Sequence, residues 1–204
     1  MDEIVKAAIA KWPNVPHCYG WLALDARGQW RMRDERCQAL KLPGDIIRHP
    51  ALIDFINRNY QCDDQGCWYF QNGPQRVYVD LEATPFIVHT APDGLQLHTG
   101  QVMPLLTAAF MDESGRIILV ADKLIALVDD RDLSEIMRYL RIQDQIPDDD
   151  QILTWMATGG ASASLSLSLM SMPYASQEIT LLASSLHEIL AAADLKARPR
   201  ESSK

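Results

Sequence analysis

The alternation of apolar and polar positions divides the chain into short helices and a series of hairpins. Ile4, Val5, Ala8, Ile9 and Trp12 recur at helical spacing, which predicts a helix over 2–12 that Pro13 and Pro16 stop. Trp21 to Met32 reads as a hairpin around Asp25-Ala26-Arg27-Gly28, with Leu24 opposite Trp30 and Leu22 opposite Met32. A helix follows over 50–59, with Leu52, Ile53, Phe55 and Ile56 as its buried stripe. The second hairpin turns at Asn72-Gly73, which sets Trp68 opposite Val77 and Tyr69 opposite Arg76. Trp68, Phe70, Val77 and Val79 then share the core face, and Tyr69, Arg76, Tyr78 and Asp80 share the other.

A third hairpin, Ile87 to Thr99, turns at Pro92-Asp93-Gly94, and a fourth runs from Phe110 to Ile118. The fourth echoes the first: Leu24-Asp25-x-x-Gly28-x-Trp30 aligns with Met111-Asp112-x-x-Gly115-x-Ile117 at an offset of 87. Each is followed by a helical pattern, the second starting near Asp132 with Leu133, Ile136, Met137 and Leu140 apolar. A degenerate duplication of hairpin then helix and chance recurrence of one turn both fit this. Asp148-Asp149-Asp150 precedes Ile152, Leu153, Trp155 and Met156, a helix that Gly159-Gly160 ends. Serine alternates with leucine over 162–171, which suits a strand or a loosely ordered linker. Ile179, Leu182, Leu186, Ile189 and Leu190 predict one long helix over 176–194, and the basic residues 196–204 read as a frayed tail. The fold class expected is α+β: antiparallel hairpins with intervening helices and a C-terminal helix. The units expected are 1–100, 101–160 and 161–204.

Composition narrows the function classes. The chain has 204 residues with 27 acidic and 19 basic side chains, a formal net charge of −8. That balance, without a basic stripe, argues against nucleic acid as a partner. Residues 101–150 hold 11 acidic and 5 basic side chains, so the acidity is local to the second half-motif. Cys18, Cys37, Cys62 and Cys67 form no C-x-x-C pair, so reduced thiols are expected in place of a zinc site. The first residues lack a basic region and a long apolar core, and no apolar run is long enough to span a bilayer. A cytoplasmic protein with no membrane partner is expected.

Gly28-x-Trp30, Ile46-Ile47-x-His49-x-Ala51-Leu52-x-Asp54-Phe55, Asp64-x-Gly66-x-Trp68-Tyr69-Phe70, Val77-x-Val79 and Thr84-Pro85-Phe86 together resemble an uncharacterised proteobacterial protein family of about 200 residues. The chain departs from that pattern at Asn72-Gly73-Pro74, where the family has a threonine-proline turn. The resemblance implies an α+β protein of repeated hairpin-and-helix motifs with a signalling or regulatory role. It carries over no active site.

The candidate chemistry is sparse. No G-x-S-x-G, H-E-x-x-H or phosphate-binding glycine loop occurs. His89 and His98 are the metal pair to consider. A three-residue loop with Gly94 in a bulge sets His98 opposite Val88 and separates the histidines, whereas a four-residue loop brings them to one face. The first is favoured, so neither a metal nor another cofactor is expected. Asp129-Asp130-x-Asp132 and Asp148–150 lack the calcium-loop pattern and read as charge at helix starts, or as a docking surface for a basic protein partner. Tyr69, Arg76, Tyr78 and Glu82 form the candidate ligand-binding face, with Arg76 stacked on Tyr69 if exposed; otherwise the tyrosines are half-buried sheet residues.

Two functions follow. One is a non-enzymatic regulatory, signalling or ligand-binding module that forms a homodimer through its C-terminal helix. The other is a hydrolase-like small-molecule enzyme whose His49, Asp54, Glu82 and His89 converge only in the fold.

Overall fold

The computed structural model describes residues 1–92, 94–169 and 177–200. Two compact units appear: Met1–Pro85 with Leu190–Lys204, and Phe86–Ile189. The third hairpin, expected within 1–100, thus belongs to the second unit, and the end of the chain returns to the first.

Unit 1 contains α1 (Glu3–Lys11), β1 (Cys18–Leu24), β2 (Trp30–Met32), α2 (Glu35–Ala39), β3 (Asp45–Ile46), α3 (Pro50–Arg58), β4 (Tyr60–Cys62), β5 (Trp68–Asn72) and β6 (Gln75–Leu81). Its sheet has the order β3-β2-β1-β6-β5-β4. Unit 2 contains β7 (Phe86–Ala91), β8 (Gly94–Leu97), β9 (Ala108–Met111), β10 (Ile117–Ala121), β11 (Leu124–Val128), α4 (Leu133–Met137), β12 (Leu140–Ile142), α5 (Asp149–Ala157), β13 (Leu165–Ser168) and β14 (Glu178–Ala183). Its sheet order is β12-β13-β14-β9-β10-β11-β7-β8. A last helix, α6 (Leu186–Ala192), spans the point where the units divide.

The two orders are one topology used twice. Reading β9 to β14 as β1 to β6 reproduces the first sheet, and the β7–β8 hairpin is appended beyond β11. In both units the first and sixth strands pair in parallel: Leu24 with Leu81, and Met111 with Ala183. A helix joins the third strand to the fourth in each, α3 and α4. The turns after the first strands match in detail. Asp25 Oδ1 accepts from the Arg27 and Gln29 amides at 3.0 and 2.8 Å. Asp112 Oδ1 accepts from the Ser114 and Arg116 amides at 2.9 and 3.0 Å. The carboxylate caps the turn, and a left-handed glycine (Gly28 φ 76°, Gly115 φ 78°) closes it. The duplicated hairpin-and-helix motif is therefore real in topology and in turn chemistry. Asp63-x-x-Gly66 builds a third copy of the turn between β4 and β5, with Asp63 Oδ1 accepting from the Gln65 and Cys67 amides at 2.9 Å each.

The first hairpin has the expected register, Leu24↔Trp30 and Leu22↔Met32. The second slips by two: Phe70 faces Val77 and Tyr69 faces Tyr78. A type I′ turn at Asn72-Gly73 needs positive φ at both residues, and only Gly73 has it. Pro74 has its φ fixed near −65°, so the loop becomes Gly73-Pro74. A slip of two preserves the faces, so the division into core and opposite residues stands.

In the third hairpin Ala91 pairs with Gly94 and Val88 with Leu97. The favoured register, His98 opposite Val88, is therefore corrected by one residue: Gly94 is a paired strand residue and forms no bulge. A shift of one reverses the faces, so His89 and His98 lie on the same one. Asp93, within that turn, lies outside the described residues.

The helix expected over 176–194 is also corrected. Glu178–Ala183 forms β14, between β9 and β13, and only Leu186–Ala192 is helical. Ser185 starts this helix, donating its backbone N–H to Glu188 Oε2 at 2.9 Å and accepting from the Glu188 amide at 3.2 Å, a reciprocal capping box. Ile189 and Leu190 are buried in their own chain, which removes them from the apolar face expected to seat a second copy. The serine–leucine alternation does form a strand, β13, with Leu165 and Leu167 fully buried; its end at 170–171 lies outside the described residues. Leu140, read as the end of the helix after Asp132, is in β12.

Candidate functional site

The unit 1 sheet has an apolar face and a polar one. Leu22, Leu24, Trp30, Val79 and Leu81 are buried on the first, where Trp30 Nε1 donates to Asn57 of α3 at 2.8 Å. On the second, Ala23 pairs with Arg31 on one side and with Asp80 on the other, so all three fall in one row across the sheet. This row is the floor of a cavity of about 380 Å³, walled by α2 and its following loop and by the returning tail.

The carboxylates here are held. Asp25 Oδ2 accepts from Arg31 Nε at 2.7 Å while its other oxygen caps the turn. Arg31 Nη1 also donates to Gly44 O at 3.1 Å. Gly44, at φ 86°, has no room for a side chain, since a Cβ would sit 2.3 Å from Met32 O. Asp80 Oδ2 accepts from Arg33 Nη1 at 2.5 Å and its Oδ1 from Arg200 Nη1 at 2.9 Å. Arg33 Nε reaches Leu42 O at 3.2 Å, which ties the cavity wall to the pair. Glu82 lies at the rim and accepts from the Ala26 amide at 3.1 Å.

The tail expected to fray is docked as far as Arg200. The Lys196 amide donates to Gly66 O at 2.9 Å, the Leu81 amide donates to Ala197 O at 2.7 Å, and Pro199 is buried. Those contacts bring Arg198 and Arg200 into the cavity wall.

Of the sequence-derived binding residues, only Glu82 lines this cavity. Tyr69 and Tyr78, at 5% and 6% exposure, lie further along the same face, packed with Tyr19 and Cys67. Tyr19 stacks on Tyr78 at 4.7 Å, and the guanidinium of Arg76, a residue that pairs with Gln71 in the ladder, sits over the Tyr69 ring at 4.6 Å. Tyr78 donates to Asp63 Oδ2 at 2.9 Å. Burial pushes the Tyr78 hydroxyl up to about 12, with the Asp63 carboxylate adding to it. Burial alone would raise the Asp63 carboxyl, but the Cys67 amide, the Tyr78 hydroxyl and the Gln65 amide outweigh it and hold it below the usual range. The tyrosines are thus a packed cluster, and the open part of their face lies at Asp25, Arg31 and Asp80. The residues missed by sequence reasoning are Arg31, Arg33, Lys41 and Arg200; the one available signal was Asp80, placed on this face by alternation.

His49 and Asp54 are exposed at and on α3, and neither lines the cavity that holds Glu82. His89 is in unit 2, where its Nδ1 lies 3.3 Å from both Asp129 Oδ2 and Asp132 Oδ2. Among the described residues these three are the set whose ligand atoms converge within 4.8 Å and that could hold a metal ion. Asp129 is already committed to Arg131, whose Nη2 lies 2.5 Å away, and Asp132 accepts from Thr90 Oγ1 at 2.7 Å. Burial opposes ionisation of Asp129, but the Arg131 hydrogen bonds prevail and lower its carboxyl to about 2. Burial, with His89 adding to it, pushes His98 down to about 3. Asp148 caps α5 in a capping box with Gln151, which accounts for that acidic run.

No helix among the described residues is long and apolar enough to cross a membrane. A search of curated proteins finds no match. Among solved structures, the chain is similar to a DUF1285 family protein from Silicibacter pomeroyi DSS-3 at 15% identity and TM-score 0.49, covering 93% of this chain and 98% of that one. A DUF1285 family protein from Shewanella baltica OS155 matches at 14% identity and TM-score 0.33, covering 54% of this chain and 85% of that one. Residues 1–182 match the DUF2944 family, described as "Protein of unknown function (DUF2946)". The resemblance to an uncharacterised family read from the sequence agrees with that match, and the chain belongs to this family.

Proposed function

We propose that the protein is a non-enzymatic ligand-binding module of regulatory type, with the polar cavity of unit 1 as its ligand site. The carrying observation is the lining of that cavity. Among the described residues its lining holds no Ser, Thr, Cys, His or Tyr side chain, so it offers no hydroxyl or thiol nucleophile and no imidazole base. Its two buried carboxylates are fixed by Arg31, Arg33 and Arg200, which suits a rigid recognition surface better than proton transfer. A volume of about 380 Å³ lies within the usual range for small-molecule sites.

The test is a thermal-shift screen against anionic, neutral and cationic metabolites, repeated on Ala23→Phe, which fills the cavity floor. A ligand at about 100 times its Kd stabilises the native state by about 2.7 kcal/mol. The reading expects a hit with the wild type and its loss in Ala23→Phe. A screen with no hit, or a hit that survives the substitution, contradicts it.

A further inference from the structure

We propose that this cavity selects a small organic oxyanion, a carboxylate or phosphate ester on a compact body; the inference rests on the cavity being the ligand site. The chain is acidic overall, yet the cavity gathers Arg31, Arg33, Lys41, Arg198 and Arg200 against Asp25, Asp80 and Glu82. An excess of cations in a concave site of an acidic protein concentrates anions locally.

The pairing pattern decides which charges are available. All three carboxylates are engaged: Asp25 by two amides and Arg31, Asp80 by Arg33 and Arg200, and Glu82 by the Ala26 amide. A cationic ligand would have to displace an arginine that is already in place. The Lys41 ammonium and the Arg198 guanidinium, by contrast, have no partner among the described residues. Arg31 and Arg33 each commit Nε and Nη1, which leaves the Nη2 donors of two positioned guanidiniums. These two side chains are 22% and 14% exposed, so an anion beside them is screened less than one at the surface. Leu42 and Pro43 in the wall supply apolar contact for an organic body and so favour it over a bare inorganic ion.

Isothermal titration calorimetry with two matched pairs tests this: glucose 6-phosphate against glucose, and succinate against succinamide. At least one anion should bind and its neutral partner should not. Which anion binds separates a phosphate ester from a carboxylate. Lys41→Gln and Arg198→Gln, both at exposed positions, should each weaken binding about tenfold, as expected for one charge-assisted hydrogen bond. Neutral members binding as well as the anions would overturn the oxyanion class while leaving the ligand site standing. Affinity unchanged in both variants, or no saturable binding of either anion below about 10 mM, would also overturn it.

Discussion

Replacing Arg33 with alanine tests whether ion pairing shapes the cavity. Asp80 is 7% exposed and receives two guanidiniums whose surroundings differ. The Arg33 side chain is 14% exposed and lies 2.5 Å from the carboxylate, whereas that of Arg200 is 59% exposed and lies 2.9 Å away. Removing one partner of a buried pair leaves an uncompensated charge and costs about 3–5 kcal/mol. Arg200 would still neutralise part of that charge, so Arg33→Ala should cost about 3 kcal/mol, the lower end of the range. Arg200→Ala removes a solvent-screened partner from a carboxylate that stays paired, and should cost about 1 kcal/mol or less. Four of the five tryptophans, Trp12, Trp21, Trp30 and Trp68, are in unit 1, so a Trp155→Phe background makes fluorescence report on that unit. With urea slopes of about 1–3 kcal/mol/M, the Arg33→Ala midpoint should fall by about 1–3 M and the Arg200→Ala midpoint by no more than about half as much. Adding Asp80→Asn to Arg33→Ala removes the stranded charge and should recover part of the loss. Equal effects of the two arginines, or no recovery in the double variant, would refute the reasoning.

Gly66→Ala should undock the tail, because a Cβ there would sit 1.7 Å from Asp194 O. Trypsin should then cleave after Lys196 faster than in the wild type, and an unchanged rate would count against the tail being held at Gly66. His98 has an ordinary value near 6.5 that burial lowers to about 3 in the fold. The unfolded chain therefore takes up the proton first, and stability should fall as the pH drops from 6.5 toward 3, by up to about 1.4 kcal/mol per pH unit. His98→Gln should flatten that slope between pH 6 and pH 4.5; an identical slope in the variant would mean that other groups set it.

Legibility in the sequence followed the range of the interaction concerned. The Asp25 and Asp112 turns were readable because one carboxylate, two amides and a glycine within five consecutive residues fix loop length and register together. The second hairpin failed by two residues because Pro74 overrides the Asn-Gly preference, a local conflict that the sequence displays. Ser185-Leu186-His187-Glu188 is likewise a capping box visible in the chain; an apolar stripe that continued upstream through Leu182 and Ile179 obscured it. That upstream segment becomes a strand because of the slot between β9 and β13, which no local pattern reveals. The cavity is the extreme case. Its floor depends on β1 pairing in parallel with β6, which aligns Ala23 with Asp80, and on a tail that returns to place Arg200 on Asp80. Alternation could put Asp80 on the face of Tyr78, but could not show which arginines would meet it there.

The central claim is that the unit 1 cavity, with its free cationic donors, is where this protein meets its ligand. Proton–nitrogen correlation spectra of the side-chain Nε–H groups, titrated with whichever of succinate and glucose 6-phosphate binds, test it most directly. Arg116, which pairs with Asp112 in the equivalent turn of unit 2, provides an internal control. Saturating shifts at Arg31 and Arg33 with Arg116 unmoved are the predicted result. Shifts confined to Arg116, or none at Arg31 and Arg33 as the anion saturates, would contradict the account.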